Sequence, residues 1–276
     1  MSEERYTGYV SKYLTETELE NLYQENYNID LYENQYLLVQ GADGSVIDYF
    51  KQKGGRLVRV GYPTIQNQYI QNIKPKDAQQ YCAINLLQDR TIPVKLIRGV
   101  YGSGKDYLMF NEALSLIERG IFNKIVFIRP NVTLANVPSI GYLPNGIQEK
   151  LGWTMAPLYD KIGGEDGIAL LEQNHQFEMV PLLFIRGRSF EKSIVYVTEA
   201  QNIDSTIAKV LLSRIGDESE LWLNGDNHFQ TDNVIFDKDN GLKLMLDRLI
   251  NNPLFGHIYL PTTHRSKIAN LSNLLD

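Results

Sequence analysis

Cysteine is nearly missing from this sequence: Cys82 stands alone among 276 residues. A lone thiol excludes an internal disulfide and argues against a cysteine-rich zinc site. It also sets the expectation of a reducing, cytoplasmic compartment. Histidine is scarce too. His175, His228, His257 and His264 show no metal-ligand spacing and are expected at the surface or at helix ends. No stretch approaches the ~20 apolar residues that a bilayer-crossing helix needs. The N-terminus, Met1-Ser2-Glu3-Glu4-Arg5-Tyr6, lacks an apolar signal core, so no membrane partner is expected. Neither charge sign is in great excess: the net charge of -6 argues against a wholly basic nucleic-acid coat but leaves room for a local basic channel. Internal repeats and low-complexity tracts are absent as well. What remains is ordinary globular material, 43% hydrophobic and 22% charged, in a chain long enough for one large core or two smaller ones.

The stretch that organises the chain begins at Ile92. Residues 92–98 carry an apolar run rich in Val, Leu and Ile, the signature of a buried strand. The run ends in Gly99-Val100-Tyr101-Gly102-Ser103-Gly104-Lys105, the G-x-x-x-x-G-K pattern of a phosphate-cradling loop. Glycines let the backbone turn with φ > 0, so that successive N–H groups face an anion. The start of the next helix adds its positive end and Lys105 a full charge. A glycine-rich turn before a helix is often only a turn. Here both the preceding strand and the following helix are present, which favours phosphate, with a triphosphate as the natural guest. Asp106 departs from the pattern, which wants Ser or Thr there to hold Mg²⁺.

The rest of the chain falls into two expected parts, residues 1–72 and 73–276. In the first, Thr15-Glu16-Thr17-Glu18 resembles a capping box, with Leu19, Leu22 and Tyr23 on one helical face. Residues 36–61 change to strand period, with turns at Gly41–Gly44 and Gly54-Gly55, and read as a small antiparallel β meander. In the second part, residues 75–90 are helical, with Ala78, Cys82, Ala83, Leu86 and Leu87 on one face and Pro75 suited to the first turn. Cys82 therefore reads as a packed thiol. Gln79 and Gln80 lie one helix and one strand before the loop. A glutamine there could read an adenine edge, or simply face water. A helix from Lys105 ends at Gly120; strands follow at 124–128, 177–180, 193–197, 220–224 and 257–260, with helices at 204–214, 241–251 and 266–274. Residues 131–146, with Pro138, Gly141, Pro144 and Gly146, form a long loop, and such loops are commonly functional or disordered. Alternating strands and helices imply an α/β fold with a parallel sheet, carrying the small N-terminal β meander.

Polar clusters follow Ile97, Ile128, Val197 and Asn224, at the carboxyl ends of strands where ligands of such sheets sit. After Val195-Tyr196-Val197, where a nucleotide hydrolase usually places Asp-Glu, this sequence has Thr198-Glu199. The two departures mirror each other: Asp106 where a hydroxyl is expected, Thr198 where a carboxylate is. An exchange keeps one carboxylate and one hydroxyl for a single Mg²⁺. The competing reading is a decaying site with two independent losses.

With these residues in view, the chain resembles the PhoH-like family of P-loop ATPases, related to the first motor domain of superfamily 1 helicases. The likeness covers about residues 73–269 and rests on an ordered series: the loop to Lys105, Ile128-Arg129-Pro130, Gly141-Tyr142-Leu143-Pro144, Gln148-Glu149-Lys150, Pro157-Leu158-Tyr159-Asp160, Arg186-Gly187-Arg188-Ser189, Glu199-Ala200-Gln201-Asn202, Ser213-Arg214-Ile215-Gly216, and Gly225-Asp226 with Gln230. The resemblance implies that Lys105 grips the β- and γ-phosphates, Glu199 is the general base, and Gln201 places water or senses the γ-phosphate. It makes Gln230 a γ-phosphate sensor and Gln80 an adenine reader. Arg129 matches a motif that approaches nucleic acid. Arg186, Arg188 and Arg265 are candidates for nucleic-acid contact or for an arginine finger acting in trans, and for each a structural salt bridge is an equal alternative. It further implies a P-loop NTPase core of RecA-like type, ATP and Mg²⁺ as cofactors, and a homo-oligomer such as a hexameric ring. RNA or single-stranded DNA would thread a channel to which Tyr142 and Trp153 could contribute. The alternative is a hydrolysis-impaired module in which nucleotide holds an assembly together or recruits a partner. A small-molecule kinase is a distant third, with no acceptor site in the sequence.

Overall fold

The computed structural model describes residues 6–61, 63–66, 72–130, 165–226 and 239–264. It has two sheets. The smaller is built from β1 (Tyr9–Tyr13), β2 (Tyr36–Gln40), β3 (Val46–Lys53) and β4 (Arg56–Arg59), in that spatial order. The larger has six strands: β5 (Val94–Gly99), β6 (Lys124–Ile128), β7 (Phe177–Met179), β8 (Ser193–Val197), β9 (Glu220–Asp226) and β10 (Phe255–Leu260). Their order is β10-β5-β9-β8-β6-β7, and the sheet is parallel. The fold is thus α/β, consistent with a P-loop NTPase core, as the alternation of strand and helix patterns implies. Buried strands of a parallel sheet read as continuous apolar runs. β8, Ser193-Ile194-Val195-Tyr196-Val197, is buried at every position.

Chain contacts gather the molecule into two compact units, Met1–Glu112 with Met245–Asp276, and Ala113–Leu244. In the first, β2, β3 and β4 form the expected antiparallel meander, and one further strand makes the small sheet mixed. That strand, β1, lies parallel to β2, with Tyr9 opposite Tyr36. β1 was missed because Tyr9-Val10-Ser11-Lys12-Tyr13 is short and sits in a polar stretch. Helix α1 (Glu16–Tyr23) connects β1 to β2. Its capping box is present: Thr15 accepts from the Glu18 backbone N–H, and the Glu18 carboxylate accepts from that of Thr15 at 2.9 Å. Leu14 and Leu22 pack with Leu37, Val39 and Phe50 of the sheet. Full burial of such side chains stabilises by about 1.5–3 kcal/mol each.

This sheet is tied to helix α2 (Ala78–Gln88) and to β10 within the same unit. Tyr36 Oη donates to Asn85 Oδ1 at 2.7 Å, Tyr49 stacks on Tyr81 at 3.7 Å, and Lys51 pairs with Asp89. Asn34 Nδ2 donates to the carbonyls of Pro253 and Phe255 at 3.0 and 2.9 Å. The segment before β1 lies along β10: the Tyr259 N–H donates to the Thr7 carbonyl at 2.8 Å. Gly8 there has φ 85, and a Cβ on it would stand 1.8 Å from the His257 carbonyl oxygen, so glycine alone fits. α2 begins not at Pro75 but after Asp77, whose carboxylate accepts from the Gln80 N–H at 2.7 Å. Cys82 is buried in α2, as expected, and burial pushes its thiol pKa well up. His257, expected near the surface, is buried in β10. Its Nε2 accepts from Arg98 Nε at 3.0 Å, and burial, then the Arg98 charge, hold it well below the usual imidazole range.

Helix α3 (Lys105–Glu118) follows β5 and stops before Gly120, at φ 68, as the sequence signalled. In the second unit, α4 (Glu165–Gln173) leads to β7. α5 (Ser205–Leu212) is capped by Asp204, which accepts from the Ile207 N–H at 2.7 Å. α5 ends at Leu212, two residues short of the expected Arg214, because its last turn is already capped at Ser213. The last helix described, α6 (Gly241–Leu249), precedes β10. The long loop at 131–146, with Tyr142, and also Trp153, Gln230, Arg265 and the closing helix at 266–274 lie outside the described residues. Among the described residues no helix is long and apolar enough to cross a membrane.

Candidate functional site

The first unit carries the glycine loop. β5 ends on Gly99, which is pressed against β10: a Cβ there would lie 2.6 Å from the Leu260 carbonyl oxygen. Val100 N–H donates to that same carbonyl at 3.1 Å. Gly102 and Gly104 hold φ 74 and 88, a region other residues rarely adopt. Such φ values belong to the backbone geometry in which successive N–H groups can face one anion. Ser103 is 1% exposed, and its Oγ is buried without a hydrogen-bond partner among the described residues. Lys105 opens α3, and its Nζ donates to the carbonyls of Gly99 at 2.8 Å and Val100 at 3.1 Å, 5.9 Å from the Tyr101 ring centre. Asp106 is half-buried in the first turn of α3, where the positive end of a helix favours a carboxylate.

Gln80 is buried behind the loop. Its Nε2 donates to the Ser103 carbonyl at 3.0 Å and its Oε1 accepts from the Lys76 N–H at 3.0 Å. The structure thus brings Gln80 together with Gly99 through Asp106. It adds a residue that sequence reasoning missed: His264, whose backbone N–H donates to the Gly102 carbonyl at 3.0 Å. Nothing in the sequence spacing pairs residue 264 with residue 102.

The second unit carries the other cluster, at the ends of β8 and β9. Thr198 is 4% exposed, and its backbone N–H donates to Ile128 at the end of β6 at 3.0 Å. Glu199 sits at φ 51, left-handed backbone that a glutamate adopts at a cost. Such strain is found mainly where the surroundings impose it, at active sites among other places. Gln201, 2% exposed, donates from Nε2 to Glu199 Oε2 at 2.7 Å, while its Oε1 accepts from the Asp226 N–H at 3.2 Å. Asn224 was placed at a strand end by the sequence but given no role. Its Oδ1 accepts from the Glu199 N–H at 3.3 Å and from Thr198 Oγ1 at 3.4 Å, and its Nδ2 donates to Tyr196 Oη at 2.8 Å. Asn240 Nδ2 holds the Gln201 carbonyl at 3.0 Å. A polar residue directly after the apolar run Leu221-Trp222-Leu223 of a fully buried strand was the signal available for Asn224.

The arginines differ among themselves. Arg129 is half-buried just after β6, and Arg186 is exposed. Arg188 binds Glu178 at 2.8 Å, with Lys124 on the same carboxylate at 2.9 Å, so its structural alternative is realised here. Partial burial raises the Glu178 pKa, but the hydrogen bonds from Lys124 and Arg188 outweigh it and hold the carboxyl below its usual range.

The residues present fit a nucleoside triphosphate. The loop offers glycine backbone in anion-nest geometry, a lysine beside it, and a buried hydroxyl in Ser103 still able to bond. A carboxylate and a hydroxyl, Asp106 and Thr198, are hard oxygen donors of the kind Mg²⁺ takes. Among the described residues, no group of three or more His, Cys, Asp or Glu could hold a metal by itself.

Comparison with known proteins agrees with this chemistry. The family described as PhoH-like protein matches residues 72–270. Protein PhoH2 of Bacillus subtilis is 30% identical over 292 residues, covering 98% of this chain and 64% of that protein. Protein PhoH2 of Mycolicibacterium smegmatis is 33% identical over 204 residues, 72% of this chain and 46% of that one. The PhoH-like protein of Bacillus subtilis is 34% identical over 131 residues, 46% of this chain and 40% of that one. The chain therefore spans less than two thirds of the length of these relatives. The match runs over most of the chain and includes the glycine loop and its lysine: the chain belongs to the PhoH-like family, which is of P-loop ATPase type.

Proposed function

We propose that this chain binds ATP with Mg²⁺ and hydrolyses it, as a helicase-type motor acting on RNA or single-stranded DNA within a homo-oligomer. The observation that carries the reading is Lys105 beside a glycine cradle, its Nζ on the carbonyls of Gly99 and Val100. Phosphate oxygens would replace those carbonyls as acceptors of a stronger, charge-assisted kind. Bound MgATP supplies the γ-phosphoryl group. Glu199 takes the proton of the attacking water, and Gln201 fixes the carboxylate that receives it. Asn224 holds the backbone of Glu199 and the hydroxyl of Thr198 at once. Asp106 and Thr198 would hold the Mg²⁺, each supplying the group normally expected of the other, and the ion would neutralise charge on the phosphates. Arg129 and Arg186 contact the nucleic-acid backbone, while Arg188 is retained by Glu178 unless phosphate competes for it.

A second reading is favoured by the two departures from the hydrolase pattern, Asp106 and Thr198. In it, nucleotide binds without turnover and holds subunits or a partner together. Phosphate release, measured with and without single-stranded RNA or DNA, separates the two. Stimulated release that disappears in Glu199→Gln supports the motor. Firm ATP binding without turnover in either condition overturns it and leaves the assembly reading.

A further inference from the structure

The glycine loop is held from outside by a closed circuit of hydrogen bonds, every member of which lies in the first unit. Asp77 Oδ1 accepts from the Gln80 N–H at 2.7 Å, and Gln80 Nε2 donates to the Ser103 carbonyl at 3.0 Å. The preceding carbonyl, Gly102, accepts from the His264 N–H at 3.0 Å. The circuit closes where His264 Nε2 meets Asp77 Oδ2 at 2.7 Å; an ionised carboxylate only accepts, so the ring nitrogen donates. Both side chains are about four-fifths buried, 19% and 20% exposed, so water competes little for this bond.

A trans peptide is planar, with its C=O and N–H directed oppositely. Fixing the Gly102 carbonyl therefore aims the N–H of Ser103, which donates to the Val100 carbonyl at 3.3 Å and closes the turn, and fixing the Ser103 carbonyl aims the N–H of Gly104. We propose that Asp77 and His264 are positioning residues for the phosphate loop: together they anchor the two carbonyls whose orientation sets the loop's turn and the direction in which the Gly104 N–H meets an anion. The inference rests on the ATP-binding reading and deepens it. Gln80 enters it as the arm through which the α2 cap reaches the loop. A Cβ on Gly104 would stand 3.1 Å from Gln80 Nε2, so the arm and the glycine constrain each other. The backbone N–H of His264 survives any substitution except proline, but without its ring on Asp77 nothing in the circuit fixes where that N–H points.

The test uses the full chain. Binding of a fluorescent ATP analogue is measured for wild type, His264→Ala, His264→Gln, Asp77→Ala and the double variant Asp77→Ala with His264→Ala, together with amide hydrogen exchange of residues 100–105 without nucleotide. His264→Ala is expected to weaken affinity about three- to tenfold, the loss of about one hydrogen bond, and to speed loop exchange. His264→Gln, which keeps a donor for Asp77, recovers most of the affinity. The double variant is no weaker than Asp77→Ala alone, because both residues belong to one circuit. Unchanged loop exchange in His264→Ala overturns the circuit, and faster exchange with unchanged affinity overturns its positioning role. Wild type that binds no nucleotide sinks the ATP reading instead, and exchange alone then judges the circuit.

Discussion

Gln201 Nε2 lies 2.7 Å from Glu199 Oε2, while the oxygen of the same amide accepts from the Asp226 backbone at 3.2 Å. One glutamine thus binds the strained glutamate after β8 to the end of β9. With one carboxylate oxygen held this way, the other has a fixed direction in which to meet a proton.

Glu199→Gln should lower the rate of phosphate release by about 10²–10⁴, the usual worth of a general base, while nucleotide affinity stays near wild type. Gln201→Ala should lower kcat about tenfold with little change in KM, since it loosens the base without touching the phosphate loop. Steady-state phosphate release across ATP concentrations checks both. Equal losses in nucleotide binding would place the two residues in structure rather than chemistry.

Asp106→Thr and Thr198→Asp should each impair Mg²⁺-dependent nucleotide binding, the first by leaving two hydroxyls and the second by leaving two carboxylates. The double variant, which restores one of each, should recover at least about tenfold of the loss. Mg²⁺ titrations of nucleotide affinity in all four proteins measure this. A double variant worse than both singles contradicts a shared cation.

His257 links stability to pH. Burial, reinforced by Arg98, keeps its folded-state pKa well below the free imidazole value of about 6.5. Below that value the unfolded chain binds a proton that the native chain refuses, so native stability is lost as pH falls. One such proton corresponds to a slope of at most about 1.4 kcal/mol per pH unit. Urea unfolding between pH 7.5 and pH 5 should show this slope, and His257→Gln, which keeps an acceptor for Arg98, should flatten it.

Gly8→Ala should destabilise by about 2–5 kcal/mol, combining left-handed strain with a collision against the His257 backbone 1.8 Å away. Gly44→Ala is the control: its φ is 79, but a Cβ there meets nothing within 4 Å, so only about 1–2 kcal/mol of strain applies. Chemical denaturation of both variants distinguishes collision from strain.

What could be read from residues alone was local. The loop announces itself through glycine spacing within seven positions, β8 through the apolar run Ile194–Val197 and β9 through the shorter Leu221–Leu223. The capping residues Thr15, Asp77 and Asp204 act within three positions of themselves, though Asp77 was overlooked in favour of Pro75. What escaped depended on distance along the chain. β1 exists because β2 offers it a parallel edge, which no pattern in Tyr9–Tyr13 could reveal. Gln80 was visible as an amide near the loop. That both its ends bind backbone follows from where Lys76 and Ser103 lie in space. His257 looked like an ordinary polar residue at the start of a strand, and only the packing of Arg98 and Tyr6 against it makes it interior.

The stretch recognised by the family runs from residue 72 to 270, and it leaves out the segment that covers β10. β10 is the outermost strand of its sheet, and Thr7 occupies the Tyr259 N–H there. A recombinant piece trimmed to the family boundaries would therefore bare a sticky flank that the whole chain keeps sheathed. Poor yield or clumping of such a piece would say nothing about its chemistry, and expression work should keep the first eight residues attached.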